Sequence, residues 1–337
     1  MLGTAKFTDK IFTTNGINYL NIGLMVISLI AAYIIPFELF LFSYAVFGPL
    51  HYLTEISWLD KKKYFVKSKE DMLLMFGLAI FLLAGRFHQA TIVHRFRTSI
   101  EITGFSYAFL LLFVNKRSTR LILVAAIFAL SVVFHFNNKH GLPFLLFAVL
   151  LPSIVHVFLF TGSFILFGAL KTRSLSGIVS LAIFILCAIT FFLYMPNNVS
   201  LPVSNYGKQV YSLFGTLNVA LYKIFGFGNL IRSDIGFYTN PKSVAIMRFL
   251  AFAYTYHYLN WFSKTSVIKW NEVSKLRMTI ILALWVVAVG LYGINYRIGI
   301  YALSLLSTMH VFFEYPLNNY TLMGIGQEIR SILFNKK

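Results

Sequence analysis

The chain has 337 residues, of which 58% are hydrophobic and 12% charged, with a mean hydropathy of +0.75. Soluble domains carry about 25% charged residues, so this chain cannot cover a water-facing surface, and a soluble fold is excluded. The net charge of +18 would suit nucleic acid if the basic residues gathered on one face of a compact domain. Here they punctuate the connections between apolar runs, where anionic head groups and membrane orientation account for them.

Residues 1–14 carry Lys6 and Lys10 and lead into an apolar run with no small-residue cleavage site after it. That run reads as a first membrane helix rather than a cleaved signal. Taken in order, apolar helices are expected at 17–35, 37–59, 71–87, 99–115, 119–136, 142–170, 175–195, 243–263, 276–294 and 296–315. Most come close to the roughly 20 residues that cross ~30 Å of hydrocarbon. The expected fold is therefore all-α: a polytopic transmembrane helix bundle of about ten spans. It forms one integral membrane domain over 1–337, with no repeat and no internal boundary. The single cysteine, Cys187, lies inside an apolar run, which rules out an intrachain disulfide.

The longest non-spanning stretch runs from Pro196 to Pro241. Within it Val210, Leu213, Phe214, Leu217, Leu221, Ile224 and Phe225 fall on one helical face, and Lys208, Gln209, Ser212, Thr216, Asn218 and Lys223 mostly on the other. Such a helix either lies in the membrane interface or packs on the outer mouth of the bundle. Alternate connections collect 19 basic residues on one side, including Lys61, Lys62, Lys63 and Lys264, and 9 on the other. That asymmetry puts both termini in the cytoplasm.

Histidines are the side chains that titrate near neutral pH, and eight are present. His88, His94, His135 and His140 fall at outer helix ends or loops. They read as solvated interfacial groups, or as an anion or second metal site with Arg86, Arg95 and Arg97. The other four fall within helices, where ionisable groups need a reason to be. His51 precedes Glu55 by four residues, His310 precedes Glu314 by four, and His257 precedes Asn260 by three. These spacings put each pair on one helix face. The topology sets all three pairs at similar depth near the cytoplasmic ends of three helices, with His156 deeper by one to two turns. Gly48-Pro49 and Pro152 are expected to break or kink their helices, Pro152 freeing the carbonyl of Ala148, and Pro316 is expected to end the last one.

Imidazoles and carboxylates converging from several helices are the ligands of non-haem iron, manganese or zinc. His51, Glu55, His257, His310 and Glu314 are the expected ligands of such a divalent metal. His156 is a fourth imidazole or a substrate-side base, Lys264 a second catalytic candidate, and Asn260 and Thr54 supporting partners. The leading reading is a membrane metal-dependent enzyme acting on a lipid or other apolar substrate near the cytoplasmic face, by oxidation or by hydrolysis. The alternative is a proton- or ion-coupled transporter using the same residues. HExxH, GxSxG and Walker A motifs are absent, and no two histidines stand three or four residues apart. Cysteines introduced at Ser68 and Ser204 should react with an impermeant thiol reagent from opposite sides of the membrane. Reaction of both from one side would overturn this topology.

Overall fold

The computed structural model describes residues 13–62, 68–87, 96–137, 142–196, 199–231, 235–264 and 273–334. Most of these are helical, with no strand among them. Six of the helices are long and apolar enough to cross a membrane, consistent with a membrane protein. The chain divides into two compact units that interleave along the sequence. The first comprises Met1–His51, Val157–Leu282 and Gly324–Lys337; the second comprises Tyr52–His156 and Ala283–Met323.

In the first unit α1 (Thr14–Ile34) begins where the Thr13 hydroxyl accepts the Gly16 N–H. Pro36 opens α2 (Pro36–Phe42) at its first position, where a missing N–H costs nothing. A π turn (Ser43–Phe47) then leads into α3 (Gly48–Lys62). Later elements are α7 (Thr161–Thr172), α8 (Leu175–Leu193), α9 (Asn205–Tyr211), α10 (Gly215–Ile224), α11 (Gly236–Thr239) and α12 (Pro241–Ser263). The Asn240 side chain caps α12 by accepting from the N–H groups of Lys242 and Ser243. Of the 23 residues of α12, 17 are buried, so it has no solvent or lipid face and forms the axis of its unit. It packs on α1, α2, α8, α10 and α11. Arg248, 1% exposed within it, donates to the Pro196 carbonyl and the Ser200 hydroxyl and lies 5.0 Å over the Tyr33 ring.

The amphipathic stretch after Pro196 forms two short helices, α9 and α10, rather than one. The first packs on α2 and the second on α12. Phe40 meets both Tyr211 and Phe214 edge-on. Val210, Leu217 and Leu221 are buried, whereas Leu213, Ile224 and Phe225 stay exposed, so only part of the expected apolar face is covered by protein.

The second unit contains most of α3, then α4 (Lys69–Phe87), α5 (Arg97–Phe113) and α6 (Arg117–Asn137). It also takes most of a π-wound segment (Phe144–Phe160), the latter part of α13 (Lys275–Ile294) and most of α14 (Tyr296–Phe334). Buried Asp71 takes two hydrogen bonds from Arg120, at 2.8 and 3.0 Å, and a third from the Tyr107 hydroxyl. The other terminal nitrogen of Arg120 donates to the carbonyls of Val114 and Asn115, so one guanidinium joins three helices and caps α5. A Cβ on Gly104 would lie 2.3 Å from Cζ of Phe312, which shows how closely α5 approaches α14.

Two expectations about proline need correction. Pro316 does not end the last helix: α14 continues through it to Phe334. A proline removes one N–H, and neighbouring groups compensate inside a bundle; Asn319 donates its side-chain amide to the Tyr315 carbonyl just beyond. The helix then finds new packing, with Gly324 against the Phe167 ring. Around Pro152 the chain is π-wound rather than α-helical, so the proline deprives the carbonyl five residues back, that of Phe147, instead of Ala148.

Asp71→Ala leaves the Arg120 charge buried and unpartnered. It should lower unfolding stability in detergent by about 3–5 kcal/mol. Replacing both residues with apolar side chains of similar volume should restore much of that loss in a thermal melt.

Candidate metal centre

The candidate ligands His51, Glu55, His156, His257, His310 and Glu314 are all buried within helices, each 1–6% exposed. Helix winding presents two of them. Just before His51, the π turn lets Gly48 N–H reach the Ser43 carbonyl, a ring one residue wider than in an α-helix, and this absorbs Pro49. His156 lies four residues beyond Pro152 in the second π-wound stretch.

In the first unit, Nε2 of His51 and Nε2 of His257 are 3.1 Å apart, with the rings at 76°. Tyr258 and Trp261 wall the His51 ring at centroid distances of 5.3 and 5.5 Å. Behind His257, Nδ1 lies 2.8 Å from the Thr161 hydroxyl. That hydroxyl has one proton and donates it to the Val157 carbonyl at 2.8 Å. Thr161 must therefore accept from His257, which fixes the proton on Nδ1 and leaves the Nε2 lone pair directed at His51.

The second unit holds a corresponding pair. Nε2 of His156 and Nε2 of His310 are also 3.1 Å apart, and the Tyr52 ring stacks on His310 at 4.2 Å. Oε2 of Glu314 lies 2.9 Å from Nδ1 of His156 and accepts from the Asn318 amide at 3.4 Å. Glu55 offers a carboxylate oxygen within 4.8 Å of a His310 ring nitrogen. Its carboxyl also lies close enough to that of Glu314 for the two to interact. Two carboxyl groups in contact require a proton or a cation between them.

Buried His and Glu groups are thus close enough to hold a metal ion. Two nitrogens each 2.0–2.1 Å from a shared ion stand about 2.9–3.4 Å apart for octahedral to tetrahedral angles. Both Nε2 pairs, at 3.1 Å, fall in that interval.

The structure brings His51 to His257, and His156 to His310 with Glu55 and Glu314 beside them. It directs Asn260 elsewhere: its side-chain oxygen accepts from Tyr256, which also donates to Asn21, and Ser263 donates to Asn21 as well. Lys264 ends α12 half-buried, and burial holds its ammonium pKa below the ordinary lysine value. Among the described residues no hydrogen bond or ion pair joins that ammonium to His51 or His257. Thr54 is buried on α3. Thr161 was not visible as a site residue, because a lone threonine in an apolar run carries no spacing signal. His88, His94 and His140, and the side chains of Arg86 and His135, lie outside the described residues.

Thr161→Val removes the acceptor behind His257 and should give a mixture of imidazole tautomers, read from its ring 15N shifts. Thr161→Ser should keep the Nδ1–H form. An unchanged Nδ1–H signal in the valine variant would show that Thr161 does not set the tautomer. No family model, curated protein or solved structure matches this chain.

Proposed function

We propose that this protein is a membrane-embedded, metal-dependent enzyme that acts on a lipid or other apolar substrate near the cytoplasmic face. Its divalent iron, manganese or zinc is held by His51, Glu55, His257, His310 and Glu314, with His156 as a further imidazole. The observation that carries this reading is the set in the second unit: two Nε2 atoms 3.1 Å apart with the Glu55 carboxylate beside His310. Two imidazoles and one carboxylate on one ion leave positions open for water or substrate, the ligand set of non-haem iron oxygenases. Zinc with three protein ligands and an open position performs hydrolysis with equivalent economy.

The apolar substrate follows from the surroundings. Tyr52 stacks on His310, Tyr258 and Trp261 wall His51, and the outward faces of the six apolar helices present Leu, Ile and Phe. Within this reading α4, α5, α12 and the helix formed by α2 and α3 complete about ten spans. The termini are cytoplasmic, and the exposed half of the α9–α10 face rests in the interface. Lys264, whose burial favours the neutral amine, is the general-base candidate at the end of α12.

One observation favours a second reading, a proton- or ion-coupled transporter. The contacts from Glu55 to Glu314, from Glu314 to His156 and from His156 to His310 make a continuous chain of proton-exchanging groups.

Metal analysis separates the two. Protein expressed with iron, manganese and zinc supplied should purify with bound metal. Affinity should fall steeply toward acid pH, because ligand imidazoles must be neutral and ligand carboxylates ionised. His310→Ala and Glu314→Gln should lose metal and activity together while the chain still inserts. In a proton relay, Glu314→Gln abolishes coupling and the wild-type protein carries no metal at all.

A further inference from the structure

A cavity of about 630 Å³ opens in the first unit, where α7 ends and α1 and α8 begin. That volume suits a small-molecule site. The run closed by α7, together with α1 and α8, makes three of the six helices long and apolar enough to cross a membrane. Their shared end therefore marks the height of the lipid head groups. The walls differ in kind. Thr13, Asn15, Arg173 and Ser176 supply hydroxyls, an amide and a guanidinium, whereas Tyr19, Leu175 and Val179 are exposed apolar surface. The lining residues include one cation and no carboxylate.

Arg173 stands where the backbone favours glycine. Its φ is 52°, in the left-handed cap that ends α7, and no other described residue besides glycine has a positive φ. One terminal nitrogen of its guanidinium donates to the Leu170 carbonyl at 2.8 Å. The other donates to the Ser331 hydroxyl at 2.9 Å and pairs with Glu328 at 3.1 Å. These contacts fix the group, and among the described residues no hydrogen bond engages its Nε. Beside it, the Ser174 and Ser176 hydroxyls are 2.8 Å apart, and Ser176 donates to the Asn15 side chain at 2.7 Å. The Asn18 amide donates to Ser176 at 2.9 Å. The polar wall is thus ordered before a ligand arrives, which lowers the entropy lost on binding.

We propose that this cavity binds the phosphate head group of an anionic phospholipid of the phosphatidylglycerol kind, with the acyl chains running along Tyr19, Leu175 and Val179. A guanidinium is the side chain best matched to a phosphate in charge and in donor geometry. The wall hydroxyls and the Asn15 amide suit a head group that itself carries hydroxyls. A choline or ethanolamine head group would find no carboxylate in the lining to meet its charge. The proposal involves no metal, so it stands or falls independently of the function proposed above.

The test is native mass spectrometry of the full-length protein in detergent, supplied with equal amounts of phosphatidylglycerol and phosphatidylcholine. Wild-type protein should retain one phosphatidylglycerol in preference. Arg173→Gly suits the left-handed cap and should weaken that binding by about 10–100-fold, through loss of a charged hydrogen-bond donor. Arg297→Gln removes one charge from an exposed position on α14 outside the cavity and should leave binding unchanged. Equal retention of the two lipids overturns the proposal, as does unchanged binding in Arg173→Gly or an equal loss in Arg297→Gln. A large excess of inorganic phosphate should leave the lipid in place; displacement by it would reveal a site for aqueous phosphate instead. If Arg173→Gly fails to fold because Glu328 loses its partner, Val179→Trp must still weaken binding by filling the apolar end.

Discussion

An apolar surround gives back nothing for the hydration that a buried ionisable group loses, so every such group must find its partner inside the fold. The polar interior of this protein follows from that constraint. Asp71 and Arg120 meet it as an ion pair with Tyr107 and two backbone carbonyls completing the shell. Arg248 has no carboxylate among its described contacts and meets it with a carbonyl, a hydroxyl and the face of Tyr33. The four helical histidines meet it by facing each other in pairs. The first two solutions consume the charge in holding helices together. The third leaves the two Nε2 atoms of each pair facing one another, an arrangement that a shared proton or a cation satisfies.

Reaching that arrangement takes helices that are not uniformly wound. A regular α-helix repeats its faces every 3.6 residues, and a π turn inserts one residue and shifts the phase of everything after it. The π turn at Ser43–Phe47 comes just before His51, and the π-wound stretch at Phe144–Phe160 contains His156. In both places a proline removes an N–H that α-helical winding would have required, so the wider winding is less costly there than elsewhere. Winding defect, proline and buried histidine coincide twice, and irregular helix inside a bundle is tolerated where it lines a site.

The helical class, most helix positions and the histidines worth attention are legible in the sequence because they depend on local spacing. Apolar run length marks helices, and a histidine four residues from a glutamate marks a shared face, as at His51 with Glu55 and His310 with Glu314. Features that depend on partners far along the chain are not legible. The depth of His156 could be read from its own helix, but its facing His310 is a contact between residues 154 apart. Thr161 earns its place only through His257, and Asp71 only through Arg120. Pro316 misleads for the same reason: locally it is a stop signal, and the packing of Gly324 on Phe167 that carries the helix past it lies beyond any local window. Among the described residues six helices reach a spanning length and composition: α5 stops at 17 residues, and α4 and α12 carry charged or polar residues such as Lys69, Glu70 and Asp71, and Arg248, His257 and Asn260.

The two ways of satisfying the buried carboxylates have opposite consequences. A proton between Glu55 and Glu314 leaves a neutral acid and one carboxylate, and the imidazoles then pass hydrogen bonds along the row. A divalent cation there would displace that proton, keep the carboxylates ionised and take the imidazole nitrogens as ligands. Protons and metal would therefore compete for one set of atoms. Thr161 biases that competition. By holding the proton of His257 on the outer nitrogen, it keeps the inner lone pair of that ring presented before any ion arrives, so metal binding would require no tautomer change there. A relay that passed protons through every ring would need each imidazole free to exchange tautomers. The fixed hydroxyl behind His257, its one proton already committed to Val157, works against that exchange.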